Sequence, residues 1–188
     1  NGLDSEIDLN RFEPEFQDWQ WCTIAEVKKL AEPKRLPGYL PALQEFEKYI
    51  DFMKKEYAQD ISANFSLPMD KALEESEMMV KNTFSDGLLT EGQYIFNISD
   101  SSSTMNVGII WFNVNTEINR AYLYHIYIDE LHRNKGYGTK SLKALEAKVK
   151  ELGMDSLALS VFGKNEGAYY LYKKLGYTTS SISMHKVI

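Results

Sequence analysis

The chain reads as an α+β protein: a mixed sheet of six to seven strands flanked by about four helices, ending on a parallel strand–helix–strand unit. Three observations in its 188 residues carry this expectation. Apolar residues first recur at steps of three and four, the helical period. From residue 93 the pattern changes to three short β-prone runs separated by polar turns. Beyond residue 136, helical and strand patterns alternate.

The elements follow in order. Residues 1–33 combine acidic residues (Asp4, Glu6, Asp8, Glu13, Glu15, Asp18) with Phe12, Phe16, Trp19 and Trp21. They are expected to form an arm packed on the domain, with a cleft cover or a dimer contact as the sharper reading. Lys34–Leu40 reads as a short strand broken by Pro37 and Gly38. Pro41 then opens a helix with Leu43, Phe46, Ile50, Met53, Tyr57 and Ile61 on one face. Pro68 opens a second helix, since Pro in a first turn forfeits no needed hydrogen bond. Its expected apolar face holds Met69, Leu73, Met79 or Val80, and Phe84, before a turn at Asp86-Gly87. Gln93–Ser99, Asn106–Val114 and Ala121–Ile128 read as an antiparallel meander. A helix with Leu142, Leu145, Val149 and Leu152 buried stops at Gly153. Ser156–Phe162 is a further strand, Asn165–Leu175 a helix, and Tyr177–Ile188 one strand or a strand pair.

Composition narrows the function. A formal net charge of −6 disfavours a duplex-binding surface, so no nucleic-acid partner is expected. The single cysteine, Cys22, excludes an intrachain disulfide and suits the cytoplasm. Three scattered histidines make a poor ligand set, so no metal is expected. No run approaches the roughly 20 apolar residues that cross a bilayer, so no membrane partner is expected. Asn1–Asn10 lacks a signal-peptide pattern and an initiating Met, which suggests either an imposed boundary or a processed start.

The informative segment is Arg133-Asn134-Lys135-Gly136-Tyr137-Gly138-Thr139, between a strand and a helix. Glycines let the backbone take positive φ and approach a ligand closely. Successive amides then converge into an anion-binding concavity, and the helix adds its positive end. Arg133 and Lys135 add charge and Thr139 a hydroxyl, so a pyrophosphate is the natural guest. The pattern is neither the dinucleotide fingerprint nor a Walker loop, because the third glycine and the Gly-Lys-Thr/Ser triplet are missing.

Arg-x-x-Gly-x-Gly in this context resembles the acyl-CoA pyrophosphate loop of the GNAT superfamily of N-acetyltransferases. A second block, Asn165-Glu166-Gly167-Ala168-Tyr169-Tyr170-Leu171-Tyr172-Lys173-Lys174-Leu175-Gly176-Tyr177, resembles the family's Asn-x-x-Ala-x-x-Leu-Tyr-x-x-x-Gly-Phe/Tyr ending. The likeness spans roughly residues 34–188, read as the GNAT-like domain, and leaves 1–33 outside.

The resemblance implies an acetyl-CoA-dependent N-acetyltransferase acting on a primary amine of a small molecule or peptide. Ile126, Tyr127 and Ile128 would offer their backbone to the pantetheine arm, an amide there serving as oxyanion donor. Arg133, Asn134, Lys135, Gly136, Tyr137, Gly138 and Thr139 would hold the pyrophosphate, and Asn165 would contact the cofactor arm. Tyr172 would lie near the sulfur and protonate the leaving thiolate; a phenol is protonated at neutral pH. A homodimer is among the assemblies the family allows. No family base carries over: Ser160 and Tyr122 stand where some members have Glu. Tyr124, His125, Glu117 and Glu91, or a water relay, remain. Tyr57, Asp60, Phe65 and Trp111 are candidates for the acceptor side. The rival readings are a catalytically silent acyl-CoA-binding module and a nucleotide in the same loop.

Overall fold

A computed structural model describes residues 36–85, 90–100 and 105–187, with side chains from residue 45 onward. The expected arm and the turns at 86–87 and 101–103 lie outside the described residues.

Two helices lead. Helix α1 runs Leu36–Phe65 and helix α2 Met69–Thr83. The strand expected over 34–40 is corrected: from Leu36 the backbone is already helical. Pro37 is tolerated there because first-turn amides have no intrahelical acceptor. The apolar spacing of α1 is realised, with Tyr49, Ile50, Met53, Ala58 and Ile61 buried. The helix pair turns at Ser66, which takes φ 54°, and Pro68 precedes α2.

Helix α2 meets its expected face only toward its end, where Phe84 is buried and Met79 and Val80 pack beside it. Ala72 and Ser76 are fully buried, whereas Met69, Leu73 and Met78 are exposed. Small residues let the two helices approach, as fully buried Ala58 does on α1. Ser76 Oγ donates to the Lys54 carbonyl at 2.8 Å, which satisfies the one polar side chain in the seam.

The meander follows as β1 (Gln93–Ser99), β2 (Asn106–Asn115) and β3 (Arg120–Ile128). Helix α3 (Tyr137–Glu151) crosses to β4 (Ser156–Leu159), and α4 (Glu166–Lys174) closes the described helices. The sheet order is β1-β2-β3-β4, the first two pairings antiparallel and β3–β4 parallel. The expected mixed sheet and four helices are present among the described residues; the parallel β–α–β unit is β3–α3–β4, whereas the closing strand of the expected strand–helix–strand ending is not formed. The strand count is corrected to four among the described residues. Residues 177–187 are strand-like in composition, yet they form no ladder. Ile182, Met184 and Val187 lie exposed there, so no burial drives the pairing.

Alternation divides the apolar residues between two layers. One face, through Ile110, Phe112, Ala121 and Leu123, packs on Leu142, Leu145 and Val149 of α3 and Tyr172 of α4. The other, through Ile95 and Trp111, packs on Tyr49, Ile50 and Met53 of α1 and on Phe84. The three α3 residues are the buried positions the helical period predicts.

Candidate active site

The site begins with an irregularity in β3. Trp111 of β2 pairs with His125 but its neighbour Phe112 pairs with Leu123. Tyr124 is therefore an extra residue, a β-bulge, and the alternation of side chains resets across it. Before the bulge, Ala121 and Leu123 enter the α3–α4 core; after it, Ile126 does. The opposite face thus receives two consecutive side chains. Tyr124 stacks on Trp111 (centroids 4.5 Å apart), and His125 meets α1.

At the same level β3 loses its other neighbour. Pairing with β4 ends at Leu123–Leu159, and β4 itself stops there rather than at the expected Phe162. The strands part beyond this pair, and the Tyr122 hydroxyl donates to Ser160 Oγ at 2.7 Å at the fork. Phe162, past the fork, packs on Tyr57 (5.8 Å) and Phe65 (6.3 Å) of α1. The Lys164 amide donates to Asn64 Oδ1 at 3.1 Å and its ammonium group donates to the Ala63 carbonyl. The far end of α1 is thereby tied to the segment that leaves β4. Ile126, Tyr127 and Ile128 form the last stretch of β3, beyond the fork.

The segment after β3 turns through a short 3-10 helix, Glu130–His132, into α3. Asn134 takes φ 60° and Gly136 takes φ 85°. Gly136 is the N-cap of α3, so Tyr137, Gly138 and Thr139 occupy its first turn rather than the loop. No side chain caps this helix, which leaves first-turn amides for an outside acceptor. The Cβ of any residue at 136 would meet nothing, so backbone conformation selects glycine there. At Gly138 the reason is proximity: a Cβ would stand 3.3 Å from Leu171 Cδ2 of α4.

The cations of the loop are folded back. Arg133 Nε donates to the Ile128 carbonyl at 2.9 Å, and its guanidinium lies 5.3 Å from the Tyr127 ring centre. Lys135 Nζ donates to the Leu131 carbonyl at 2.7 Å. Tyr137 donates to Asp100 Oδ2 at 2.9 Å, anchoring the start of α3 to the end of β1. The donor set of uncapped amides, a Thr hydroxyl, a Lys and an Arg fits a pyrophosphate.

Asn165 is the N-cap of α4, its Oδ1 accepting from the Ala168 amide at 3.1 Å. Tyr172 is 8% exposed in the core shared with Ile126, its ring 5.6 Å from that of Tyr177. Burial raises its phenol above the ordinary value, so it stays protonated at neutral pH.

The α1 side carries a second constellation. Tyr49 Oη and His125 Nδ1 are 3.0 Å apart, and His125 Nε2 lies 3.7 Å from Glu56 Oε2. Burial first, then Glu56, pushes the Asp60 carboxyl up, with His125 opposing. Tyr49 and Glu56 were not among the residues singled out by sequence. Their signal is periodic: Tyr49, Met53, Glu56 and Asp60 fall at helical steps, with carboxylates beside an apolar stripe. Glu117 lies in the turn at the opposite end of β3, and Glu91 just before β1, whose residue Gln93 pairs toward that same end, so neither is brought to the fork. Trp111 is 1% exposed and belongs to the core, its Nε1 donating to Gln93 Oε1 at 2.8 Å. Among the described residues no group of three or more His, Cys, Asp or Glu could hold a metal ion, and no helix is long and apolar enough to cross a membrane.

A bulged central strand parts from a parallel neighbour and is followed by an uncapped glycine loop, the arrangement that the GNAT resemblance implies. The model of the acetyltransferase (GNAT) family matches residues 55–177, and the chain belongs to that family. It is similar to the uncharacterized N-acetyltransferase YdgE of Bacillus subtilis (strain 168), 30% identical over 145 residues, covering 76% of this chain and 92% of that one. It is also similar to the uncharacterized N-acetyltransferase YycN of the same strain, 28% identical over 150 residues. The crystal structure of the putative acetyltransferase YycN superposes with a TM-score of 0.72 at 25% identity, covering 77% of this chain and 93% of that one. A putative acetyl transferase from Pyrococcus furiosus shares the fold, with a TM-score of 0.56 at 23% identity, covering 76% and 95%. The protein is an acyltransferase.

Proposed function

We propose that this enzyme transfers an acetyl group from acetyl-CoA to a primary amine of a small molecule or peptide, by direct attack of the amine. The observation that carries this reading is the coincidence, at one end of β3, of the bulge, the parting from β4 and the uncapped start of α3. Acetyl-CoA supplies a thioester with a good leaving group. The first-turn amides of α3, the Thr139 hydroxyl and Lys135 would hold its pyrophosphate, with Arg133 released from the Ile128 carbonyl to join them. The free stretch Ile126–Ile128 would bind the pantetheine arm as an added strand. An amide of that stretch would stabilise negative charge on the acyl oxygen. Tyr172, kept protonated by its surroundings, would give a proton to the departing sulfur. The acceptor would arrive from the α1 side, between Tyr57, Tyr122, Tyr124 and Phe162.

We take residues 34–188 as the catalytic domain and 1–33 as an appended arm. The net charge of −6 favours a cationic acceptor through long-range attraction that salt screens. Cytoplasmic location and homodimer formation fit this reading.

Thermal denaturation with added ligands tests it. Acetyl-CoA should raise the Tm, and ATP or NAD should not. Stabilisation by ATP alone would overturn the assignment. Free-thiol release across polyamines, aminoglycosides, amino acids and peptides then names the acceptor class. Binding of acetyl-CoA without release for any amine would favour a silent acyl-CoA-binding module.

A further inference from the structure

An ammonium group must lose a proton before it can attack, and the positions where some family members carry Glu are here Tyr122 and Ser160, bonded to each other. The α1 side offers another route. Tyr49 is 7% exposed, and burial followed by the Glu56 charge holds its phenol protonated far above the ordinary range. A buried hydroxyl donates wherever an acceptor is in reach, and His125 Nδ1 is 3.0 Å away. Accepting at Nδ1 places the proton of the neutral imidazole on Nε2. Nε2 faces Glu56 Oε2 at 3.7 Å. Both ring nitrogens are then committed, and His125 has no lone pair to offer an amine. Glu56 does: its side chain is 36% exposed, and one carboxylate oxygen is turned to His125.

Resting on the acetyl-transfer reading, we propose that Glu56 is the proton acceptor for the attacking amine, with Tyr49 and His125 as the positioning residues that set its carboxylate beside the β3–β4 fork. The groups that face it are Tyr49 and Asp60 on its own helix and His125 on β3, while Glu75 of α2 and Tyr122 of β3 act on neighbouring Tyr57. The ammonium N–H bond breaks and its proton passes to a Glu56 oxygen. The freed nitrogen lone pair forms the C–N bond as the thioester C–S bond breaks; the sulfur leaves with the electron pair and takes up a proton, and the nitrogen sheds its second proton to solvent as the neutral amide forms. Glu56 returns its proton to solvent through its exposed edge. Asp60, one turn further along, adds negative charge that draws the cation to the same place.

Two variants of the full chain test this, with thiol release for the best amine as the readout. Glu56→Gln preserves size and should lower kcat/KM by about a hundredfold or more while acetyl-CoA affinity stays within about twofold. Its residual rate should keep climbing with pH as free amine accumulates, where the parent enzyme levels off. Tyr49→Phe keeps the ring but removes the hydroxyl that holds Nδ1, so kcat should fall by roughly tenfold while acetyl-CoA affinity stays within about twofold. Glu56→Gln turnover within about threefold of the parent at every pH, against the loss expected of a general base, would overturn the proposal alone. An unchanged kcat for Tyr49→Phe would overturn the positioning chain. A parent enzyme that binds acetyl-CoA but releases no thiol with any amine would overturn both the proposal and the acetyl-transfer reading.

Discussion

Single residues in the loop separate two reasons for being glycine. Gly136 sits at φ 85° with open space where a Cβ would go. Gly136→Ala should therefore act through backbone strain, on the order of 1–2 kcal/mol, lowering the Tm and weakening acetyl-CoA together. Gly138→Ala meets only the tip of Leu171, a flexible side chain, and should cost under about 1 kcal/mol. Equal losses of Tm in the two variants would refute the distinction. Tyr172→Phe keeps the packing against Tyr177 and removes only the hydroxyl. Turnover should fall at least about tenfold with acetyl-CoA affinity unchanged. Full activity would reduce Tyr172 to a core residue. The start of α3 was legible because two glycines and a switch to the helical period mark it. The Tyr49–His125–Glu56 chain was not, since Tyr49 and His125 lie 76 positions apart.

At the scale of elements, helix starts decide much of the site. Asn165 was read as a cofactor contact, and it also caps α4 through the Ala168 amide. Asn165→Ala should cost about 1 kcal/mol of stability, and Asn165→Ser should restore most of it. If the Ser variant recovers the Tm but not acetyl-CoA affinity, the amide group touches the ligand as well. Elements with strong periodicity were placed correctly, α3 and the meander among them. Failures fell where composition outran pairing. Residues 177–187 carry β-prone side chains without a ladder, and β4 stops at Leu159 because its partner diverges. The bulge left no trace in the residue pattern, because the Tyr-rich run Tyr122–Tyr127 tolerates either phase.

For the whole molecule, the tyrosine content sets a pH limit. Burial is the largest cause raising the phenols of Tyr49, Tyr172 and Tyr177, with Glu146 adding to it at Tyr177. A group whose folded pKa is raised contributes stability that is complete below its unfolded pKa and is lost as pH rises toward the folded one. Unfolding free energy should thus hold up to about pH 10 and then fall. Each phenol still un-ionised in the fold contributes about 1.4 kcal/mol per pH unit. Denaturant titrations at successive pH values, with phenolate followed by ultraviolet absorbance, would check this. A flat response above pH 10 would mean the phenols ionise in place. The mixed architecture was readable because the order of periods along the chain nearly dictates layer order. The number of strands was not, because it depends on which extended segments find a partner.

The bulge in β3 has an evolutionary consequence. It gives the strand's α1 side a run of four side chains, Tyr122, Tyr124, His125 and Tyr127, while Ala121, Leu123 and Ile126 enter the core under α3 and α4. The strand is thereby partitioned into a ledge packed on α3 and α4 and a ledge facing α1. Under the proposed reading, acceptor preference could drift by substitution at the second without repacking the first, so a single inserted residue would separate what the enzyme recognises from the core under α3 and α4.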